Sequence, residues 1–173
     1  MALTLAGSAA AQQIGPAATS DLNRDGQVER FTLIDSGDGT AHLRIENTGG
    51  AMILAQDIAW LGGIGQQPEL SLADNGSLLL TSMNEAIGRD RWHLTLTIAH
   101  RRGSYLIAGF TFAWYDTIEV DKNGICDLNL LTGRGYVSHN SAKRQPVSTS
   151  QPALPATEWK ESISMPKACD FLN

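Results

Sequence analysis

The side chains with the most chemical potential cluster at Asp21-Leu-Asn23-Arg-Asp25-Gly26-Gln27-Val-Glu29. The spacing D-x-N-x-D-G puts oxygen side chains at positions one, three and five of a tight loop. Gly26 permits the sharp turn, the Gln27 carbonyl adds an oxygen, and Glu29 falls at position nine. A hard cation such as Ca²⁺ wants such a cage, so Asp21, Asn23, Asp25, Gln27 and Glu29 are the expected ligands. The twelfth position is Thr32 rather than a bidentate carboxylate, and a strand pattern follows, which excludes a standard EF-hand. The alternative is an Asx-rich turn held by its own side-chain hydrogen bonds.

Other chemical constellations are absent from the sequence. Of the four histidines, His93 and His100 fall on opposite faces of one strand by parity. Neither His42 nor His139 adds zinc-ligand spacing. No G-x-S-x-G nucleophile elbow occurs. Gly62-Gly63-Ile64-Gly65 lacks the lysine and the helix of a phosphate loop. Glu85 and Asp90 read as solvated loop charges. The expectation is a non-enzymatic protein. Cys126 and Cys169 are the two cysteines, without C-x-x-C spacing. In an exported chain an even count predicts a disulfide, and in a cytosolic one two thiols are the better reading.

The chain has 173 residues, enough for one domain with a real core. Hydrophobic residues make up 42% and charged ones 18%, a globular balance. A formal charge of -5 argues against nucleic-acid binding through a basic surface. No apolar run reaches the length of a membrane-spanning helix. Residues 1–11 are apolar and small, and Ala9-Ala10-Ala11 before Gln12 looks like a signal-peptidase site without its basic leader. Residues 1–11 are therefore expected to be a signal-peptide remnant, and the protein periplasmic or secreted.

The elements that must position these groups are strands. Residues 12–20 carry Gly, Pro and Ala and read as an unstructured lead. Residues 21–138 read as an antiparallel β-meander with no helical pattern. Its longest hairpin runs from Arg91 to Tyr115. Trp92, Leu94, Leu96 and Ile98 alternate in one strand, and Leu106, Ala108, Phe110, Phe112 and Trp114 in the next. A three-residue turn, Arg101-Arg102-Gly103, sets Trp92 opposite Phe112 and Ile98 opposite Leu106, giving one apolar face. The same turn grammar pairs Phe31 and Leu33 with Ile45 and Leu43, and Leu70 and Leu72 with Leu80 and Leu78. It also pairs Val120 and Ile118 with Cys126 and Leu128 across Lys122-Asn123-Gly124. A further strand is expected near Met52 to Ile58. Residues 139–157 read as a linker or long loop. Residues 158–173 bring back Trp159, Ile163, Met165, Cys169 and Phe171, and read as a tail docked on the sheet.

Two resemblances accompany this pattern. The D-x-N-x-D-G loop resembles the calcium loops of FG-GAP and VCBS repeats, with Asn23 and Glu29 in place of Asp. Asn75-Gly-Ser-Leu78, Arg91-Trp92, Ala108-Gly-Phe110, Tyr115-Asp116 and Cys126-Asp-Leu-Asn-Leu-Leu-Thr-Gly-Arg-Gly135 resemble a group of small exported bacterial β-rich proteins. That resemblance implies export and an all-β fold, and no reaction.

The expected architecture is one all-β domain, an antiparallel meander closing into a barrel or sandwich-like body. Its expected role is binding of a protein or cell-envelope ligand, and the alternative is inhibition of a secreted enzyme by a periplasmic inhibitor or immunity protein. The expected contact surface is the outer face of the long hairpin or the loops at its ends, with Tyr105, Tyr115 and His93 as the candidates on that face.

Overall fold

The computed structural model describes residues 12–140, 142–163 and 165–170. The expected signal-peptide remnant and Phe171 lie outside the described residues. Among these residues eleven strands form two antiparallel sheets. The smaller sheet has the order β1 (Gln13–Ser20), β2 (Glu29–Asp35), β3 (Thr40–Glu46), β4 (Met52–Trp60). The larger contains β5 (Glu69–Leu72), β6 (Leu78–Asn84), β7 (Asp90–Arg101), β8 (Ser104–Asp116), β9 (Asn123–Asn129), β10 (Arg134–His139) and β11 (Gln145–Ser148), again in chain order. Both sheets are therefore pure meanders. They do not join into a closed barrel: β5 and β11 are the edges of the larger one. Among the described residues no helix is long and apolar enough to cross a membrane.

Alternation builds the core. Phe31, Leu33, Leu43 and Ile45 of the small sheet share one cluster with Leu78, Leu80, Leu96, Ile98 and Ile107 of the large sheet. Fully burying such a side chain is worth about 1.5–3 kcal/mol, so this face is what joins the sheets. Farther along the large sheet, Phe110, Cys126, Leu128 and Val137 belong to the same cluster with Trp159 and Cys169. There the cover is the C-terminal segment, fastened by the Cys126–Cys169 disulfide.

The Phe31↔Ile45 and Leu33↔Leu43 pairs form as the sequence predicts, and so do Leu70↔Leu80 and Leu72↔Leu78. The long hairpin differs. Its turn is the two-residue Arg102-Gly103, with φ of 51° and 79°, the left-handed pair that matches strand twist. Arg101 faces Ser104 and Ile98 faces Ile107, whereas beyond a bulge Leu96 faces Phe110 and Trp92 faces Trp114. The extra residue is Ala108, and it restores the parity that a two-residue turn breaks. Ile107 thereby enters the core in place of Leu106.

Three other expectations are corrected. Residues 13–20 are not a loose lead but an edge strand paired with β2. Gly15 and Pro16 sit where that pairing is interrupted, between Ile14 and Ala18, so proline withholds no ladder donor. Val120 and Ile118 do not pair with β9; Phe112 faces Cys126 and Trp114 faces Gly124. Burial decides this, because continuing β8 keeps its apolar face in the core and leaves 117–122 as a loop. Finally, residues 139–157 are not a free linker. They contain β11, and Leu154 and Ala156 bond the backbone of Ile107 and Tyr105 at 2.8 Å each.

Candidate functional site

The loop expected to hold calcium is closed by its own backbone. Asp21 accepts from the N–H groups of Asp25 (3.0 Å) and Gly26 (3.1 Å), Asn23 from Asp25 (2.9 Å), and Asp25 from Gln27 (2.8 Å). The Gln27 side chain meets Thr48. Glu29, at position nine, is turned inward with no exposed surface. It accepts from the N–H of Leu22 (2.7 Å), the N–H of Asn23 (3.2 Å) and the hydroxyl of Tyr105 (2.8 Å). The fit to a calcium cage is partial: the Asp21, Asn23 and Asp25 side chains stand on the exposed loop, while Glu29 is committed to the core. Among the described residues no three His, Cys, Asp or Glu side chains converge as a metal group. The deciding experiment is a calcium titration. A rise in Tm that Asp25→Ala abolishes assigns an ion here; an unchanged Tm leaves the Asx turn as the whole device.

Tyr105 accordingly faces inward rather than outward. Its ring meets Phe31 edge-on at 6.4 Å, and its hydroxyl pKa is pushed up by burial and by the Glu29 carboxylate. The bulge at Ala108 is the cause, since it exchanges faces along the first residues of β8.

His93 and Tyr115 do meet on the outer face, through a residue the sequence presents only as a loop charge. Glu85 contacts His93 Nε2 and accepts from the Tyr115 hydroxyl at 2.7 Å. The Tyr115 hydroxyl and His93 together hold the Glu85 carboxyl below its ordinary pKa, and Glu85 raises that of Tyr115. The register that sets Arg91 opposite Tyr115 and His93 opposite Ala113 makes this cluster possible. It orients donors and acceptors on an open strand surface.

The loops beside this cluster are pinned. Gln66, buried in the β4–β5 loop, accepts from the N–H groups of Glu85 (2.7 Å) and Ala86 (2.9 Å). Asn84 accepts from Ile87 N–H and donates to the Ile87 and Asp90 carbonyls. Arg89 bonds Asp116 at 2.5 Å and Glu119 at 2.7 Å, and Lys122 bonds Glu119 at 2.6 Å. Asp116 also accepts from the N–H groups of Ile118 and Glu119, an Asx turn that shapes the β8–β9 loop. Three loops at one end of the molecule are thus joined by polar contacts. Yet they hold aliphatic side chains in water: Ile87 is 58% exposed, Ile118 and Val120 each 73%, and Ile64 wholly so.

The clamp titrates in acid. The Glu119 N–H and Arg89 depress the Asp116 pKa to about 2 from an ordinary 3.8. A depressed carboxylate adds stability above its unfolded pKa and loses it as pH falls through the folded value. The contribution should therefore be complete above roughly pH 4 and vanish toward pH 2. Circular dichroism of Arg89→Ala is expected to show acid unfolding at higher pH than wild type. An unmoved midpoint would mean that the guanidinium contributes nothing.

Sequence reasoning had little access to this end of the molecule. Asp116-Thr-Ile-Glu119 carried an Asx-turn signal, but Gln66 and Arg89 had none, because their partners lie 19 and 27 residues away. Comparisons with protein-family models, curated proteins and solved structures find no match for this chain.

Proposed function

We propose that this protein is an exported, non-enzymatic binding module whose pinned loop end engages a protein partner. The carrying observation is the conflict at that end between order and exposure. Loops fixed by Gln66, Arg89 and Asp116 display Ile87, Ile118 and Val120 to solvent. Exposed aliphatic groups on an ordered surface are stabilised when a partner covers them, and preorganised loops lose little entropy on docking. The same loops carry Glu85, Glu119 and Asp121 against Arg89 and Lys122. The complementary partner has an apolar patch with a basic rim. The Cys126–Cys169 disulfide supports export, since such bonds persist in oxidising compartments.

The rigidity of this end favours one second reading, a periplasmic inhibitor or immunity protein for a secreted enzyme. Immobilised protein should retain a partner from the exported fraction of cells, and an Ile118→Asp/Val120→Asp variant should lose it. The variant should keep its stability to within about 0.5 kcal/mol, as exposed substitutions do. Equal retention by both proteins would remove the loop end from the interface. A single dominant partner with an enzyme activity that falls on binding would select the inhibitor reading.

A further inference from the structure

A partner that fits the loop end has an apolar patch with a basic rim, and the chain carries such a patch at its opposite end. Successive connections of a meander alternate between ends. The β1–β2 loop, the β5–β6 turn and the β7–β8 turn gather at one end, where Asp21, Arg24, Asn75 and Arg101 line one recess. The loop end lies at the other, where Gln66 of the β4–β5 loop bonds the β6–β7 loop. β7 has 12 residues, so the two ends are about 40 Å apart.

The start of β4 and the residue before β2 are apolar and uncovered. Val28 and Met52 are each more than half exposed, and Ile53 stands beside Gly103 and Ser104 of the β7–β8 turn. Gln27 and Thr48 tie together the two loops that carry this patch. Its charged neighbours are Arg30, Arg44 and Arg102 against Glu46. Register sets Arg30 opposite Glu46 and Glu46 opposite Met52, and Arg44 holds Glu46 at 3.5 Å. Arg30 and Arg102 are exposed and, among the described residues, have no hydrogen-bond or ion-pair partner. Asp21 and Asp25 of the same end are turned into their own loop, beside Arg24 and Arg101. The loop end has the opposite sign. There Glu85, Asp116, Glu119 and Asp121 outnumber Arg89 and Lys122 around Ile87, Ile118 and Val120.

We propose that the loop end of one copy docks on the Val28 and Met52 patch of the next, so that the protein assembles head to tail. The inference rests on the reading of the loop end as a partner-binding surface and names that partner as a second copy of this chain. The apolar patches cover one another, and rims of unlike charge pair around them. Two rigid molecules with these patches at opposite ends do not make both contacts at once. The contact is therefore heterologous rather than two-fold, and it propagates into a ring or a filament.

Sedimentation of the purified chain at rising concentration is the test. Wild type is expected to form species beyond the dimer. Ile118→Asp/Val120→Asp removes one surface and Val28→Asp/Met52→Asp the other, so each variant alone should associate at least about tenfold more weakly. Mixed in equal amounts, the two variants should form a dimer and stop there, because each retains the surface that the other has lost. Formation of that dimer also shows that both fold. Where an aspartate variant melts well below wild type, Val28→Ser/Met52→Ser or Ile118→Ser/Val120→Ser takes its place. Association of the wild type should weaken between about 0.05 and 0.5 M salt as the rims are screened. A wild type that stays monomeric up to about 1 mM, too weak for a specific assembly, would overturn the proposal. So would an assembly that saturates at the dimer, a variant mixture that stays monomeric, or association no weaker in high salt. A monomeric wild type that still retains a different protein through Ile118 and Val120 overturns this inference alone and leaves the loop end a binding surface.

Discussion

Glu29→Ala is expected to destabilise the protein by about 3–5 kcal/mol, the usual cost of removing one member of a buried charged network. The carboxylate is fully buried and serves three donors at once, two on the backbone and one on Tyr105. Alanine leaves all of them without an acceptor, and each buried unsatisfied donor costs about 1–3 kcal/mol. Urea unfolding should show the loss as a lower midpoint with an unchanged slope. Tyr105→Phe removes one of the three bonds and should cost about 1–2 kcal/mol. The double variant should lose less than the sum of the two, because they share a partner. The comparison also separates two roles for Glu29. If it served a cation, the cost of Glu29→Ala would depend on calcium; if it serves the Leu22–Asn23 turn and Tyr105, the cost is the same with chelator present. A loss below about 1 kcal/mol would show that water satisfies those donors and that this contact does not hold the sheets together.

Cys126→Ala/Cys169→Ala should cost about 2–4 kcal/mol, since the bond closes a separation of 43 residues. For a chain of this size that corresponds to a Tm lower by roughly 4–16 °C. The structural consequence should be local. The disulfide fastens the end of the chain to β9, beneath the part of the large sheet that the small sheet does not reach. Without it, the segment is held by the packing of Trp159 and Met165 and by the backbone bonds of Leu154, Ala156 and Glu161. Limited proteolysis of the double variant should cut the C-terminal segment first while β6 to β9 remain intact. Unchanged proteolysis with an unchanged Tm would mean that docking of Trp159 suffices by itself.

The strand inventory was largely legible in the sequence because its signal is local. Period-two alternation identifies Phe31–Leu33, Leu43–Ile45, Leu70–Leu72 and Leu94–Ile98 as strand faces, and glycine-closed turns set the register of two hairpins. The same local reading failed at Arg102-Gly103, where two residues at positive φ make the turn and Ala108, a few residues into β8, repairs the parity. A bulge has no composition of its own, so it is visible only when both strands are in place. The cost of missing it was specific: Tyr105 was placed on the wrong face, and with it the meaning of Glu29.

What the sequence determined by itself is the all-β meander, the candidate Asx loop and the cysteine pair. Each rests on residue types acting within a few positions, or on a count. What only the tertiary structure decided is which charges find partners. Glu29 and Tyr105 are 76 residues apart, Glu85 and Tyr115 are 30 apart, and Lys160 reaches Asp57 across 103. Loop closure lets such distant groups meet at small entropic penalty once a core has fixed the strands, and no local pattern records the meeting. The pinning of the loop end was therefore invisible in the chain, although every residue in it was in plain view.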